Sequence, residues 1–323
     1  MPLTTRRSLT SVAAWVVTAM LLLAPPAYAG SLADKLSNVP GPSRARYFVH
    51  DDHGHTMDCL KVVQNGRHGY FGVYHDSDGG LYHTYLARSS DLLHWSQVAR
   101  LATNAHQPTL AEDGDGWVLA FEVSRPMGGN YIRVLHYAST SKLRAANHNR
   151  SFSVPNRFPD PGGAQGTPNI SSTAGNRIKF GFHYYANGTD RQAKGTLTRF
   201  RRWSSKRLPR LDRRFRRLGV AGNIGDRDYF KYGGQSWGIY EGQLVNRDFS
   251  TWRIFLRNRS TGTLKRLHVR TARGSTSLAN PTVTRLRLPG GKPGIVVTYF
   301  IHRSGAGHLE SGELVFYQPL RRR

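Results

Sequence analysis

The chain has one cysteine, Cys59, in 323 residues. A lone thiol excludes an intramolecular disulfide framework and any cysteine-rich zinc site. Cys59 lies in the apolar run Cys59-Leu60-Lys61-Val62-Val63, which reads as a packed strand. Acids are scarce: 20 Asp and Glu stand against 46 Lys and Arg, a formal charge of +26. That imbalance favours acidic partners such as anionic polysaccharide, cell-wall polymer, nucleic acid or a membrane surface. Long helical periods are missing, apart from a short candidate helix at 141–146. No phosphate-binding loop, nucleophile elbow or zinc-type Cys/His spacing occurs.

The one long apolar run, 12–23, follows Arg6 and Arg7 and precedes the small-residue site Ala27-Tyr28-Ala29. Residues 1–29 therefore read as a signal peptide, of general secretory or twin-arginine type. The run is too short for a membrane anchor. The expected mature chain, 30–323, is a secreted single domain and a monomer with no membrane span. Removing the two leader arginines from +26 leaves +24.

What is present is a repeat. Turn-like openings recur at His106-Gln107-Pro108, Gly166-Thr167-Pro168, 223–228 and Ala279-Asn280-Pro281. Strands at 72–76, 119–123, 181–185, 238–242 and 297–301 align so that one column reads His75, Glu122, His183, Glu241, Phe300. Its spacings are 47, 61, 58 and 59 residues. Periods of that size mark a radial array or a solenoid. A polar column of this kind either ties neighbouring units together by hydrogen bonds or faces a shared site. Each unit holds short strands rich in β-branched and aromatic residues, bounded by Gly, Asp or Asn. Five such units predict an all-β, five-bladed β-propeller. A strand near 46–50 is placed to complete the last blade and remove an exposed edge. Asp91 with Trp95, and Asp248 with Trp252, read as a turn closed by aspartate and plugged by tryptophan.

Residues 199–217 interrupt the pattern with ten basic residues and one acid, Asp212. They read as a solvated connection between blades, with no specific nucleic acid expected as partner.

In a propeller the inner strands line a channel and loops at one end form a funnel. The repeat places Asp51 and Asp52, then Gln107, Asn169, Asp226 with Arg227, and Asn280 at successive funnel entrances. His75, Glu122, His183 and Glu241 approach the same end. Carboxylates, imidazoles and amides converging there fit a sugar-binding pocket or a metal site. A divalent cation such as calcium in the central channel is one expectation. The bound partner is expected to be a polysaccharide or oligosaccharide, with an anionic one favoured by the charge.

The segments YLARSSDLLHW and PTLAEDGDGWVLAFE, with the last opening ANPTV, are similar to five-bladed propeller glycosidases of families 43 and 32. That resemblance spans most of the chain. It implies an acidic base at the first entrance, a second Asp near the third, and a Glu acid near the fourth. Asp51 or Asp52 suits the first. The third, Thr167-Pro168-Asn169, lacks an acid, and the fourth is Gly225-Asp226-Arg227-Asp228 rather than Glu-Gly-Pro.

Glycoside cleavage needs one carboxylic acid to protonate the leaving oxygen and one carboxylate to activate water or attack. Glu241, flanked by Trp237, Ile239 and Tyr240, is the expected acid, since desolvation raises a carboxyl pKa. Asp52 is the expected base. Asp226 or Glu122 would tune the acid, and Arg227 would hold substrate hydroxyls or a carboxylate. Two alternatives stay open here. One is β-elimination on a uronic-acid polymer, using His75, His183, Tyr74, Tyr240 and arginines. The other is glycan binding without turnover.

Overall fold

The computed structural model describes residues 31–67, 69–126, 128–156, 158 and 164–320. The predicted leader, 1–29, lies outside the described residues. The architecture is five four-stranded antiparallel sheets, as the repeat requires. The chain opens with α1 (Leu32–Ser37) and β1 (Ala45–Arg46). Blade one is β2 (Asp58–Asn65), β3 (Gly69–Asp78), β4 (Leu81–Ser89) and β5 (Ser96–Thr103). Blade two is β6 (Ala105–Asp113), β7 (Gly116–Ser124), β8 (Asn130–Tyr137) and, after α2 (Thr140–Arg144), β9 (Arg150–Ser153). Blade three is β10 (Gln165–Ser172), β11 (Arg177–Ala186), β12 (Thr189–Thr198) and β13 (Arg202–Arg207). Then come α3 (Pro209–Arg217) and blade four, β14 (Arg227–Tyr232), β15 (Gln235–Gln243), β16 (Trp252–Asn258) and β17 (Leu264–Arg266). Blade five is β18 (Leu278–Arg287), β19 (Pro293–Ile301) and β20 (Gly312–Pro319), completed by β1.

Closure comes from the N-terminal side. Ala45 pairs with Phe316 and Arg46 with Val315, so β1 covers the outer edge of β20. The closing strand lies one residue earlier than 46–50, and residues 47–57 instead cross from blade five to the inside of blade one. Helix α1 is held by a capping box between Ser31 and Asp34. It buries Leu32 and Leu36 among Phe230, Ile254, Val297 and Tyr299, and the Tyr299 hydroxyl donates to the Leu36 carbonyl.

Alternation along the strands puts apolar side chains between blades. Leu60, Val62 and Tyr74 meet Leu286, Val296 and Val315 between blades one and five. Val118, Ala120 and Val134 meet Phe180, Phe182 and Trp203 between blades two and three. The two aspartate–tryptophan turns form as expected. Asp91 accepts from the N–H groups of Leu93 and His94, Asp248 accepts from that of Ser250, and Trp95 and Trp252 are buried. The segment 199–217 is not a plain connection. It supplies the fourth strand of blade three and the amphipathic helix α3, whose Leu211 and Phe215 pack on Tyr240 and Phe255. Pairwise positive charge hides that pattern in the sequence, because the apolar stripe of a nine-residue helix needs only two large residues.

Candidate active site

One backbone device recurs at the head of four inner strands. Cys59, Gln107, Thr167 and Asn280 all have positive φ, between 41° and 57°. Each sits in a bulge where three steps on the inner strand oppose two on its neighbour: Asp58 to Lys61, His106 to Thr109, Gly166 to Asn169 and Ala279 to Thr282. A bulge turns its extra residue out of the ladder and leaves that N–H without a strand partner. The polar column supplies the acceptors. His75 Nδ1 accepts from Gln107 at 3.3 Å, Glu122 accepts from Thr167, and Glu241 accepts from Asn280, each across to the next blade. Blade five has Phe300 in the column, and Glu313 on the adjoining strand takes its place, accepting from Cys59 at 3.1 Å. The column therefore stitches the blades together.

The residues opposite that column head the inner strands. Asp58 faces His75, His106 faces Glu122, Gly166 faces His183, Asp226 faces Glu241 and Ala279 faces Phe300. The first entrance is thus Asp58, not Asp51 or Asp52. Asp52 lies at the outer edge of blade one, where its carboxylate accepts from Gln97 of β5 at 2.8 Å. Asp51 is buried between blades five and one and accepts from Tyr74, His53 and His55. Burial raises its pKa, but those hydrogen bonds outweigh it and leave it lowered. Neither residue reaches the funnel.

Asp58 has its pKa raised to about 6, first by desolvation and then by the charge of Asp76. Asp226 is raised well above the usual carboxylate range by burial and by Glu241 beside it. One Asp226 oxygen accepts from its neighbour's N–H, that of Arg227, at 2.6 Å. Glu241 is raised by burial as well, but its two oxygens accept from the N–H groups of Asp226 and Asn280. Those donors favour its charged form, so Asp226 is the one of the pair that keeps a proton. Burial first, and then the charges of Glu313, Asp226, Asp58 and Glu241 around it, push the Cys59 thiol pKa well up, so it stays protonated.

The third entrance has no acid of its own. A Cβ on Gly166 would meet Glu122 Oε1 at 2.2 Å, so the Glu122 carboxylate fills the space a side chain there would take. It also accepts from Asn130 at 2.7 Å, and burial raises its pKa. His75 and His106 are held neutral by burial, with pKa values lowered to about 3 and about 4. His183 hydrogen-bonds Thr167 Oγ1 at 2.7 Å and lies 3.5 Å from Asp190.

Four predicted ligand contacts are used internally. Arg227 is fully buried and donates to the Thr167 carbonyl, the Thr167 hydroxyl and the Gly225 carbonyl. It braces blade three against blade four and offers nothing to a substrate. Asn169 lies one layer below the entrance, donating to Asp228 at 2.6 Å. The Asn280 amide donates to Gln107 at 2.9 Å, a bond between blades two and five that spans the channel mouth.

Beneath that bond Lys61 Nζ lies 2.5 Å from Asp228 Oδ2. A fixed ammonium in the channel does not fit a calcium ion in that layer. Among the described residues no group of three or more His, Cys, Asp or Glu side chains is placed to hold a metal.

The rim adds surface that the sequence pattern did not single out. Tyr82 is 44% exposed and packs edge-on against His75 and beside His106. Phe249 is 52% exposed and stacks on His302 with centroids 4.8 Å apart. Asp58 carried a signal that was there to be read. Asp58-Cys59-Leu60 aligns with His106-Gln107-Pro108, Gly166-Thr167-Pro168 and Ala279-Asn280-Pro281 once the third position is allowed to be Leu.

No family model matches the chain, and no curated protein matches it by sequence. Solved structures do. A thermostable family-43 glycoside hydrolase superposes with a TM-score of 0.58 at 11% identity, over 86% of this chain and 94% of that one. The family has this architecture. A family-43 endo-arabinanase from Bacillus licheniformis gives 0.54 at 10% identity, covering 85% and 97%. A family-32 β-fructofuranosidase from Bombyx mori gives 0.55 at 14% identity, covering 90% of this chain and 65% of that one. The chain thus has the five-bladed propeller fold of family-43 and family-32 glycosidases.

Proposed function

We propose that the protein is a glycoside hydrolase acting on an extracellular oligosaccharide or polysaccharide. The observation that carries this is the pairing of Asp58 and Asp226. They head the inner strands of blades one and four, on opposite sides of a five-bladed funnel, and both carry raised pKa values. Asp226, protonated, donates to the leaving oxygen. Asp58 is ionised above about pH 6 and serves as base or nucleophile. Glu122 supplies the third carboxylate, and Glu241 holds the proton on Asp226 by its charge. Tyr82 and Phe249 give apolar faces against which a sugar ring can rest.

The funnel's ionisable walls are mainly carboxyl and imidazole, which fits a neutral sugar. Elimination on a uronate finds little support. Tyr74 is buried and bound to Asp51, Tyr240 is buried against Phe215, and His75 Nδ1 already accepts a backbone N–H. Binding without turnover calls for similar pockets, whereas the five entrances are Asp58, His106, Gly166, Asp226 and Ala279.

The test is hydrolysis of arabinan, xylan, fructan and galactan oligosaccharides by the mature chain, read as reducing ends together with ultraviolet absorbance. Asp58→Asn and Asp226→Asn should each lower kcat/KM by about 10²- to 10⁴-fold. Full activity in both variants would overturn the assignment. Ultraviolet-absorbing products would move it to elimination.

A further inference from the structure

The interface between blades three and four is packed by α3 near the funnel and opens at the far end. The opening is a cleft of about 720 Å³. Its lining includes five cations, Lys179, Lys194, Lys206, Arg257 and Arg259, and no carboxylate. Strand register explains the gathering. Lys179 pairs with Thr196 and Thr196 with Ser204, while Gly181 pairs with Lys194 and Lys194 with Lys206. Antiparallel partners share a face, so the three lysines form two adjacent rows across blade three. Gly181, in the second row, carries no side chain, and Arg227 and Tyr229 of blade four pack close against it. Blade four contributes Arg257 from the far end of β16 and Arg259 from the turn just after it.

None of the five lies within ion-pair distance of a carboxylate among the described residues. Crowding shows in Lys194, whose pKa is lowered by burial and by Lys206, Arg259 and Lys179 around it. Arg257 Nε is buried without a hydrogen-bond partner. Like charges held together at a concave surface, with no carboxylate among them, draw anions.

We infer that this cleft binds a strand of anionic polysaccharide, away from the funnel. Four features select that occupant. The cleft crosses β10 to β13, a span of about 15 Å at ordinary strand spacing, which suits an extended chain. Ser171, Thr196, Ser204, Ser205 and Ser236 line it and match sugar hydroxyls. Aromatic faces for stacking nucleobases are taken: Arg259 lies 3.9 Å over the Tyr229 ring, and Phe180 is buried. The funnel, walled by carboxyls, would repel the same polymer. The site would hold the enzyme on an acidic matrix while the funnel works on neutral sugar.

The measurement is binding of polygalacturonate to the mature chain by titration calorimetry, independent of turnover. Lys194→Glu with Lys206→Glu should weaken binding at least about tenfold, and added salt should weaken wild-type binding in the same direction. Arg213→Glu with Arg214→Glu on α3 makes the same change in net charge and should leave binding within about twofold. Both lysines are exposed, and thermal unfolding of each variant confirms the fold. Equal losses in the two double variants would overturn the site in favour of diffuse charge. Unchanged binding in the lysine variant would overturn it outright. Tighter binding of a single-stranded DNA oligonucleotide, lost with the same lysines, would replace the glycan by nucleic acid.

Discussion

Asp58 and Asp226 divide acid from base by environment, and the pH profile exposes the division. Hydrolysis requires Asp58 ionised, so kcat/KM should rise with pH through about 6. It requires Asp226 protonated, so activity should fall at higher pH as that proton leaves. Each limb has its own lever. Asp76→Asn removes a charge that raises the Asp58 pKa, so the rising limb should move to lower pH. Glu241→Gln removes the charge that helps Asp226 hold its proton, so the falling limb should also move down. The same change leaves one of two buried N–H groups poorly accepted, at a cost of about 1 to 3 kcal/mol in chemical denaturation. A falling limb unmoved by Glu241→Gln would show that another group donates the proton. His75 sets a separate stability window. Its folded pKa of about 3 lies below the ordinary 6.5, so between those values only the unfolded chain binds the proton. Stability is therefore full above the upper value and is lost as pH falls toward the lower one. His75→Asn, which keeps an acceptor for Gln107, should flatten that loss when unfolding midpoints are compared between about pH 4 and pH 6.5.

The recurring element is an inner strand headed by a bulge, followed by a second strand whose polar residue serves the next blade's bulge. Strand periodicity and the polar column were legible because side chains alternate every two residues and the units are similar in length. The bulge was not, since an added residue shifts the opening against the column without changing composition. That shift is why Asp51 and Asp52 stood in for Asp58, and why Asn169 was placed a layer too high. Arg227 misled for a related reason: blade four has no bulge, so its second residue turns back toward blade three. Gly166 tests the element directly. A methyl group there would sit 2.2 Å from Glu122 Oε1. Gly166→Ala should destabilise the protein by about 1 to 3 kcal/mol through overpacking and lower turnover by displacing Glu122. Wild-type melting and kinetics in this variant would mean that Glu122 has room to move without consequence.

At the scale of the molecule the ring is held shut by very little chain. The two residues of β1 cover β20, and α1 fastens them through Leu32, Leu36 and the hydrogen bond from Tyr299. The need for closure was legible, because an open propeller leaves a sheet edge exposed. The fastening helix was not, since six residues with two buried leucines make no visible period. Burying the two leucines contributes about 3 to 6 kcal/mol. A whole domain has only about 5 to 15 kcal/mol in hand. A chain starting at residue 47 should therefore lose cooperative unfolding and associate through the bared β20 edge, whereas one starting at residue 30 should melt in a single transition and elute as one compact species. Adding a peptide of residues 31–46 to the shorter chain should restore part of the melting temperature, because the lost contacts are local to that segment. If the shorter chain melted where the longer one does, closure would have to come from the packing between blades alone, and the edge of β20 would need no cover.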